Sequence, residues 1–289
     1  MADPIVRRVL GRPLVVAAVG FLLIMVLGAV FAPLVAPQDP YRLMSLSLGD
    51  SLLPPVWMEG GKTPFLLGTD VQGRDILSTI LYGSRVSFLV GTSVVLIAGV
   101  VGGAVGLLAG FYGGWLDSVT MRLADSLLSF STTLIAMLLL GIFRYNSLLL
   151  VILAIVVAGW VQYARTMRGR VLAVKEEDYV TAARAAGSGA PRLILRHILP
   201  NAVAPLLVIA AVDFGVAVTL EATLSFLGVG VPITQPSLGM MIAQGKDFVY
   251  AGMWWLIVFP AGVLMGIVFS LNVIADWLRD ELDPRLKAR

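Results

Sequence analysis

Residues 86–116 read VSFLVGTSVVLIAGVVGGAVGLLAGFYGGWL and contain no charged side chain. A helix that crosses a bilayer needs about 20 consecutive, mostly apolar residues. This run is longer than that requirement, so it predicts a helix within the hydrocarbon core of a membrane. Further uncharged runs on both sides of it extend the same prediction to most of the chain.

The composition agrees with a membrane location. Hydrophobic residues make up 58% of the chain, charged residues only 13%, and the mean hydropathy is +0.91. Soluble domains carry about 25% charged residues, so this chain has too few charges to cover a globular surface. The absence of cysteine excludes disulfides and thiolate chemistry, and a single histidine argues against a metal site. The net charge of +3 gives no reason to expect a nucleic-acid partner.

The uncharged runs predict an all-α, polytopic membrane protein with six transmembrane helices. The first run follows Arg7, Arg8 and Arg12 as a signal peptide would. It is longer than the 7–15 apolar residues that are typical of a cleaved signal, so we expect an uncleaved anchor. The six predicted spans are residues 14–36, 86–111, 123–142, 146–166, 201–228 and 252–277.

The distribution of basic residues predicts the orientation of the spans. Cytoplasmic loops are enriched in Lys and Arg, and an N-terminus inside the cell places most of the 21 basic residues there. Both tails, 1–13 and 278–289, are then cytoplasmic, residues 37–85 form an extracytoplasmic loop, and residues 167–200 form a cytoplasmic loop. Only six basic residues fall outside: Arg42, Lys62, Arg74, Arg85, Arg144 and Lys246.

A stripe of small residues runs along the second predicted span. Gly102, Gly106, Gly110 and Gly114 recur at every fourth position. Small residues at this spacing let another helix backbone approach closely. The stripe predicts helix packing, against either this chain or a partner chain.

Two acidic residues, Asp213 and Glu221, fall in the fifth span. An acid at the centre of a bilayer costs about 2.5–3.5 kcal/mol on insertion scales, so such residues usually face a cavity, a bundle interior or a cation. One interpretation is a translocation path or a proton relay. The other is a structural hydrogen bond inside the bundle, and the sequence does not separate them.

A charged segment interrupts the apolar runs at residues 178–200, DYVTAARAAGSGAPRLILRHILP. Asp178 is a good helix N-cap, and Gly187 falls where a left-handed C-terminal cap is needed. A turn and a second short helix follow, and we expect Pro200 to end that helix. The first helix carries one narrow face, made of Tyr179, Ala182, Ala183 and Ala186.

Two functions fit this segment. An interfacial helix on acidic lipid would explain its arginines, but not the alanine face or the bend. A docking surface for a soluble partner explains all three features. A different candidate, GGKT at residues 60–63, is similar to the end of a phosphate-binding loop, but Val56 stands where the first glycine of that loop would be. We therefore expect no ATPase site, cofactor or metal in this chain.

The segment resembles the EAA loop of ABC-importer permeases, whose pattern is Glu-Ala-Ala, three residues, Gly, nine residues, Ile-x-Leu-Pro. Ala182, Ala183, Gly187, Leu199 and Pro200 fall in register, whereas Thr181 and His197 depart from the pattern. The run RHILPN is similar to the dipeptide, oligopeptide and nickel branch of that family. The likeness extends from about residue 64 to the end, through GTDVQGRDILSTILYGSRVSF (68–88), WVQYARTMRGRVLAVKEEDYVTAARAAG (160–187), EATLSFLGVGV (221–231) and NVIADWLRDELDPRL (272–286).

The resemblance implies a type I importer permease in the bacterial inner membrane, with its transmembrane domain at residues 84–277. It implies a second, homologous permease, two cytoplasmic ATPases that hold ATP and Mg, and an outer binding protein that delivers the ligand. The segment 178–200 would couple to an ATPase through Asp178, Tyr179, Ala182, Ala183, Arg184, Ala186, Gly187, Arg192, Arg196, His197, Leu199 and Pro200.

The resemblance leaves the substrate less defined than the machinery. We expect di- or oligopeptides, with nickel or another small solute as the alternative. A secondary transporter that uses Asp213 and Glu221 as an ion relay is a rival of a different class. A purely structural membrane anchor is a further rival, which the docking segment opposes.

Overall fold

The computed structural model describes residues 11–41, 48–143, 147–232 and 234–282, and the all-α expectation is confirmed within them. Predicted features at residues 1–10, Arg42, Arg144 and the tail beyond 282 lie outside the described residues. The main helices are α1 (Pro13–Val30), α2 (Ile76–Tyr112), α3 (Gly114–Leu128), α4 (Thr132–Phe143), α5 (Leu148–Val174), α6 (Asp178–Ala185), α7 (Ala204–Phe226), α8 (Leu238–Gly245) and α9 (Trp255–Leu282).

Five of these helices, α1, α2, α5, α7 and α9, are long and apolar enough to cross a membrane. A sixth span results if α3 and α4 are counted together, although they meet at 90°. The span that the sequence predicts at 123–142 therefore falls on two helices, the end of α3 and most of α4. α3 carries Asp117 and Asp125, which form ion pairs with Arg168 and Arg165 of α5. These pairs hold α3 against the second half of α5. α4 then runs at 90° to α3.

Several helices extend beyond their predicted ends. α2 begins at Ile76 rather than at residue 86, because the Asp75 carboxylate caps it by accepting a 2.8 Å hydrogen bond from the Ser78 amide. α5 continues to Val174 and so includes the first residues of the predicted loop 167–200. α9 runs to Leu282, past the predicted end at 277. Hydropathy marks the part of a helix in lipid and does not detect the turns that project into water.

The glycine stripe packs α2 against α5. A Cβ atom at Gly102 would lie 2.2 Å from the Trp160 carbonyl oxygen, and one at Gly106 would lie 2.2 Å from that of Ala164. At Gly110 the approach is less close, with 3.0 Å between an added Cβ atom and the Cβ atom of Val171. Gly114 does not belong to the stripe: it is exposed, has φ +62° and is the first residue of α3. The helix ends at Tyr112, so the fourfold spacing no longer places residue 114 on the same face.

α1 packs against α2 and α9. The Arg85 guanidinium of α2 donates to the carbonyl oxygens of Ala29 at 2.5 Å and Val30 at 2.8 Å, which satisfies the end of α1. The Phe21 ring lies so close to α9 that a Cβ atom at Gly266 would be 2.6 Å from its Cζ atom. α1 is therefore packed into the bundle along its length.

A short helix that was not predicted, α8, lies between α7 and α9. The Ser237 hydroxyl caps it by accepting a hydrogen bond from the Met240 amide at 3.2 Å. A Cβ atom at Gly239 would lie 2.3 Å from the Ala222 carbonyl oxygen of α7. At eight residues α8 is too short to give a span signal.

Candidate functional site

The first half of the charged segment is the short helix α6, which is anchored at one residue. Val180 is fully buried in the core of the bundle, and Ala183 packs partly against it. Tyr179, Ala182 and Ala186 are exposed. Most of the predicted alanine face is therefore exposed, and Ala183 is the residue of that face that packs against the bundle.

α6 begins one residue earlier than predicted. Glu177 is the N-cap, Asp178 is the first helical residue, and no side chain caps the helix. The end of α5 leads directly into this turn, because the amides of Lys175 and Glu177 donate to carbonyl oxygens of Val171 and Val174. The first turn of α6 is closed by the Glu177 carbonyl, which accepts from the amides of Val180 and Thr181 at 3.0 Å and 3.1 Å, and the side-chain cap assigned to Asp178 is not formed.

Gly187 closes α6 with a left-handed backbone, at φ +83°. Its amide donates to the Arg184 carbonyl at 3.0 Å, and the Ser188 amide donates to the Ala183 carbonyl at 3.1 Å. This pair of bonds is the Schellman motif. A Cβ atom at Gly187 would meet nothing within 4 Å, so the backbone conformation and not crowding favours glycine here.

The second half of the segment is continuous helix of changing pitch. It passes from Ala190–Arg192 through a π-helical turn, Leu193–Ile198, into Leu199–Ala202. The prediction that Pro200 ends the helix is wrong, because Pro200 lies in the first turn of the last piece. A π turn changes the hydrogen-bond register, and proline is tolerated in a first turn, where no amide donor is required.

This second half also has an inner and an outer face. Leu193, Ile194 and Ile198 are buried in the core. The outer face exposes Arg192, Leu195, Arg196 and Pro200, while His197 and Leu199 are half-buried. In the first half of the segment, Arg184 is also exposed. The segment 178–200 is therefore fixed to the bundle by four buried aliphatic residues and presents a mixed apolar and basic surface.

A cavity of about 620 Å³ lies between α5, α7 and α9. Asp213 of α7 lies in its wall. Sequence reasoning missed the other polar groups of this wall. They are Gln162, Arg170, Asp276 and Arg279, all of which are exposed in this chain.

A smaller cavity of about 160 Å³ is lined by residues of α2, α3, α4, α5 and α7. Asp213 lines it too, beside the hydroxyl of Tyr163, a side chain that is only 1% exposed. Asp213 thus borders open space on two sides. Its position suits contact with a polar solute.

Glu221 lies in a different environment. Its side chain is fully buried, and the Ser225 and Ser87 hydroxyls donate to its carboxylate at 2.8 Å and 3.3 Å. Ser237, the cap of α8, also contacts it. Glu221 lines neither of the two cavities above. Of the two interpretations drawn from the sequence, its position fits a hydrogen-bonded acid inside the bundle. Its serine partners come from α2, α7 and the start of α8, which could not be brought together from sequence alone.

The comparisons with known proteins identify the family. Residues 102–288 match the family described as binding-protein-dependent transport system inner membrane component. Residues 4–55 match the N-terminal TM domain of oligopeptide transport permease C.

Curated relatives cover nearly the whole chain. The dipeptide transport system permease protein DppC of Haemophilus influenzae is 41% identical over 92% of this chain and 89% of its own length. The di/tripeptide transport system permease protein DppC of Pseudomonas aeruginosa is 41% identical over 92% and 86%, respectively. The dipeptide permease DppC of Escherichia coli is 39% identical over 92% and 87%. Family match and relatives agree with the bundle of apolar helices, and this chain therefore belongs to the binding-protein-dependent transport system inner membrane components, a family of transport subunits and not of enzymes.

Proposed function

We propose that the chain is one of two homologous permease subunits of an ATP-driven importer of short peptides. It spans the inner membrane with both termini in the cytoplasm. An outer binding protein delivers the peptide, and two cytoplasmic ATPases bind ATP and Mg. The names of the relatives, which refer to dipeptides and di/tripeptides, favour peptides over nickel or another small solute.

The exposed surface of the segment 178–200 carries the proposal. Tyr179, Ala182 and Ala186 form a narrow apolar face, and Arg192 and Arg196 flank it. Small side chains allow a groove of another protein to approach the α6 backbone closely. The buried side chains of Val180 and Ile198 connect this surface to the core of the bundle. A displacement of the segment by a bound ATPase would therefore also move the transmembrane helices.

The cavity at Asp213 is the proposed path for the peptide. It lies against α5 and α7, the two helices that flank the segment 178–200 in the chain. Closure of the ATPase pair on ATP would displace the segment, shift α5 and α7, and expose the cavity to one side of the membrane after the other. The chain itself makes and breaks no covalent bond in this cycle.

ATPase measurements on the reconstituted complex test the substrate and the coupling together. Binding protein loaded with a dipeptide should stimulate ATP hydrolysis, while binding protein offered nickel should leave hydrolysis at the unstimulated rate. Stimulation by nickel and not by dipeptides would contradict the peptide assignment. Hydrolysis that ignores the binding protein under every condition would contradict the coupled importer.

A further inference from the structure

Two polar residues separate the two cavities of the bundle. Among the residues that the structure describes, Gln162 of α5 and Asp213 of α7 are the ones that line both the cavity of about 620 Å³ and that of about 160 Å³. We refer to this pair as the polar waist. A solute at this pair would therefore have both cavities within reach.

The smaller cavity is apolar apart from the polar waist and one hydroxyl, that of Thr132. Among the described residues that line it, Asp213 is the only charged one. The remaining lining side chains are aliphatic or glycine: Val94, Ala98, Leu128, Ile155, Ala158, Gly159, Val216, Ala217 and Leu220. In such surroundings a carboxylate is weakly screened, so it attracts a cationic group strongly.

Asp213 and Glu221, the two acids of α7, differ in their surroundings. Serine hydroxyls surround the Glu221 carboxylate, which is closed off from solvent. Asp213 adjoins the Tyr163 hydroxyl and also borders the two cavities. An acid in a membrane helix is costly, and a cationic ligand would offset that cost.

We propose that the polar waist is a subsite for the ammonium group of the passing peptide. The Asp213 carboxylate accepts hydrogen bonds from the ammonium group, and the Gln162 side-chain amide pairs with the adjacent peptide group. This inference rests on the proposed peptide function and adds the residues that contact the peptide.

The cavity sizes agree with this assignment. Sites for small molecules have volumes of about 300–1,000 Å³, so the larger cavity can hold a short peptide. The smaller cavity, at about 160 Å³, falls below that range and can take only one end of it. A peptide whose ammonium group lies at the polar waist would therefore place one side chain in the smaller cavity and the rest of its length in the larger one.

The test is ATP-driven uptake of a labelled dipeptide by the complete complex in vesicles, with saturating binding protein. Hydrogen bonds to charged groups are strong enough that Asp213→Asn should lower the uptake rate about tenfold or more. Asp213→Glu should restore most of the rate, because it keeps the charge. Co-purification of the ATPases with the variant permease shows whether Asp213→Asn still assembles.

Tyr163→Phe separates a peptide contact from a structural one. If Asp213 serves only to hold the Tyr163 hydroxyl, then Tyr163→Phe and Asp213→Asn should reduce uptake equally and Asp213→Glu should not rescue it. That pattern, or wild-type uptake by Asp213→Asn, would overturn the subsite. Should Asp213→Asn fail to assemble, Gln162→Ala takes its place, and a wild-type rate there has the same meaning. If the wild-type complex imports no dipeptide with ATP, the proposed function itself fails, and the subsite fails with it.

Discussion

The Ser188 amide donates a hydrogen bond to the Ala183 carbonyl at 3.1 Å across Gly187, whose φ is +83°. This bond ends α6 and sets the direction in which the chain continues toward Arg192 and Arg196. The exposed alanine face and the basic residues therefore have a fixed relation to each other. The predictions that follow use this relation and the packing of the bundle.

Gly187→Val should abolish binding of the ATPases to the permease while leaving membrane insertion intact. A left-handed backbone costs a side-chain-bearing residue about 1–2 kcal/mol, and a β-branched residue is the least suited to it. The cap should open and the second half of the segment should turn away from its partner. Co-purification of the ATPase with the tagged permease measures the effect.

Gly189→Ala is the matched control for that variant. Gly189 has φ −68°, and a Cβ atom added there would lie 3.9 Å from Pro191 Cδ, an ordinary contact distance. An alanine is therefore accommodated two residues from the cap, and co-purification should remain at the wild-type level. Equal ATPase recovery with Gly187→Val and Gly189→Ala would show that the bend is not needed for docking.

Ala182→Asp should abolish docking by a different route. Ala182 is exposed on α6, so the new charge costs nothing in the free permease but would be buried in an apolar groove of the ATPase. An unpaired charge at such an interface costs several kcal/mol. ATPase recovery should therefore fall severely, whereas Thr181→Asp, on an exposed neighbour, should have a smaller effect. Binding of Ala182→Asp at wild-type strength would exclude the alanine face as the contact.

Gly106→Ala should destabilise the pairing of α2 with α5. The added Cβ atom would lie 2.2 Å from the Ala164 carbonyl oxygen, so the helices must separate, at a cost of about 1–3 kcal/mol. The unfolding temperature of the permease in detergent should fall. Gly169→Ala on α5 meets nothing within 4 Å and should not lower that temperature. A decrease of the same size in both variants would contradict close packing at the stripe.

The sequence predicted the parts of the fold that a bilayer dictates. Apolar runs had to become helices, because lipid offers no partner for an unpaired backbone amide. α5 and α9 differ from the prediction mainly at their C-terminal ends, which extend beyond the apolar run. The break between α3 and α4 depends on ion pairs from Asp117 and Asp125 to α5. Such tertiary contacts leave no periodic signal in the chain.

The functional residues were predictable to different degrees. Gly187 could be placed in a left-handed cap from local spacing, because a cap involves only neighbouring residues. The difference between Asp213 and Glu221 depends on which face of α7 meets a cavity and which meets serines of other helices. Hydropathy treats both acids alike, and Gln162 gave no signal until α5 and α7 were seen to enclose the same space.

The orientation of the chain is tested by cysteine labelling in intact cells. Tyr250→Cys is at a fully exposed outer position in the proposed topology, and Glu176→Cys is at an exposed inner one. The chain has no native cysteine to interfere. An impermeant thiol reagent should label residue 250 in intact cells and residue 176 only after permeabilisation. The reverse pattern would invert the topology.

The most direct measurement of the central claim is uptake of a labelled dipeptide into vesicles that contain the complete complex and have no ion gradient. Ionophores remove any gradient, the ATPase nucleotide sites face the vesicle lumen, where ATP is enclosed, and the binding protein and dipeptide are added outside. Uptake should require ATP and binding protein together and should be unchanged by the ionophores. Uptake that continues without ATP and stops when the ion gradient is removed would contradict an ATP-driven importer and favour the ion-coupled alternative.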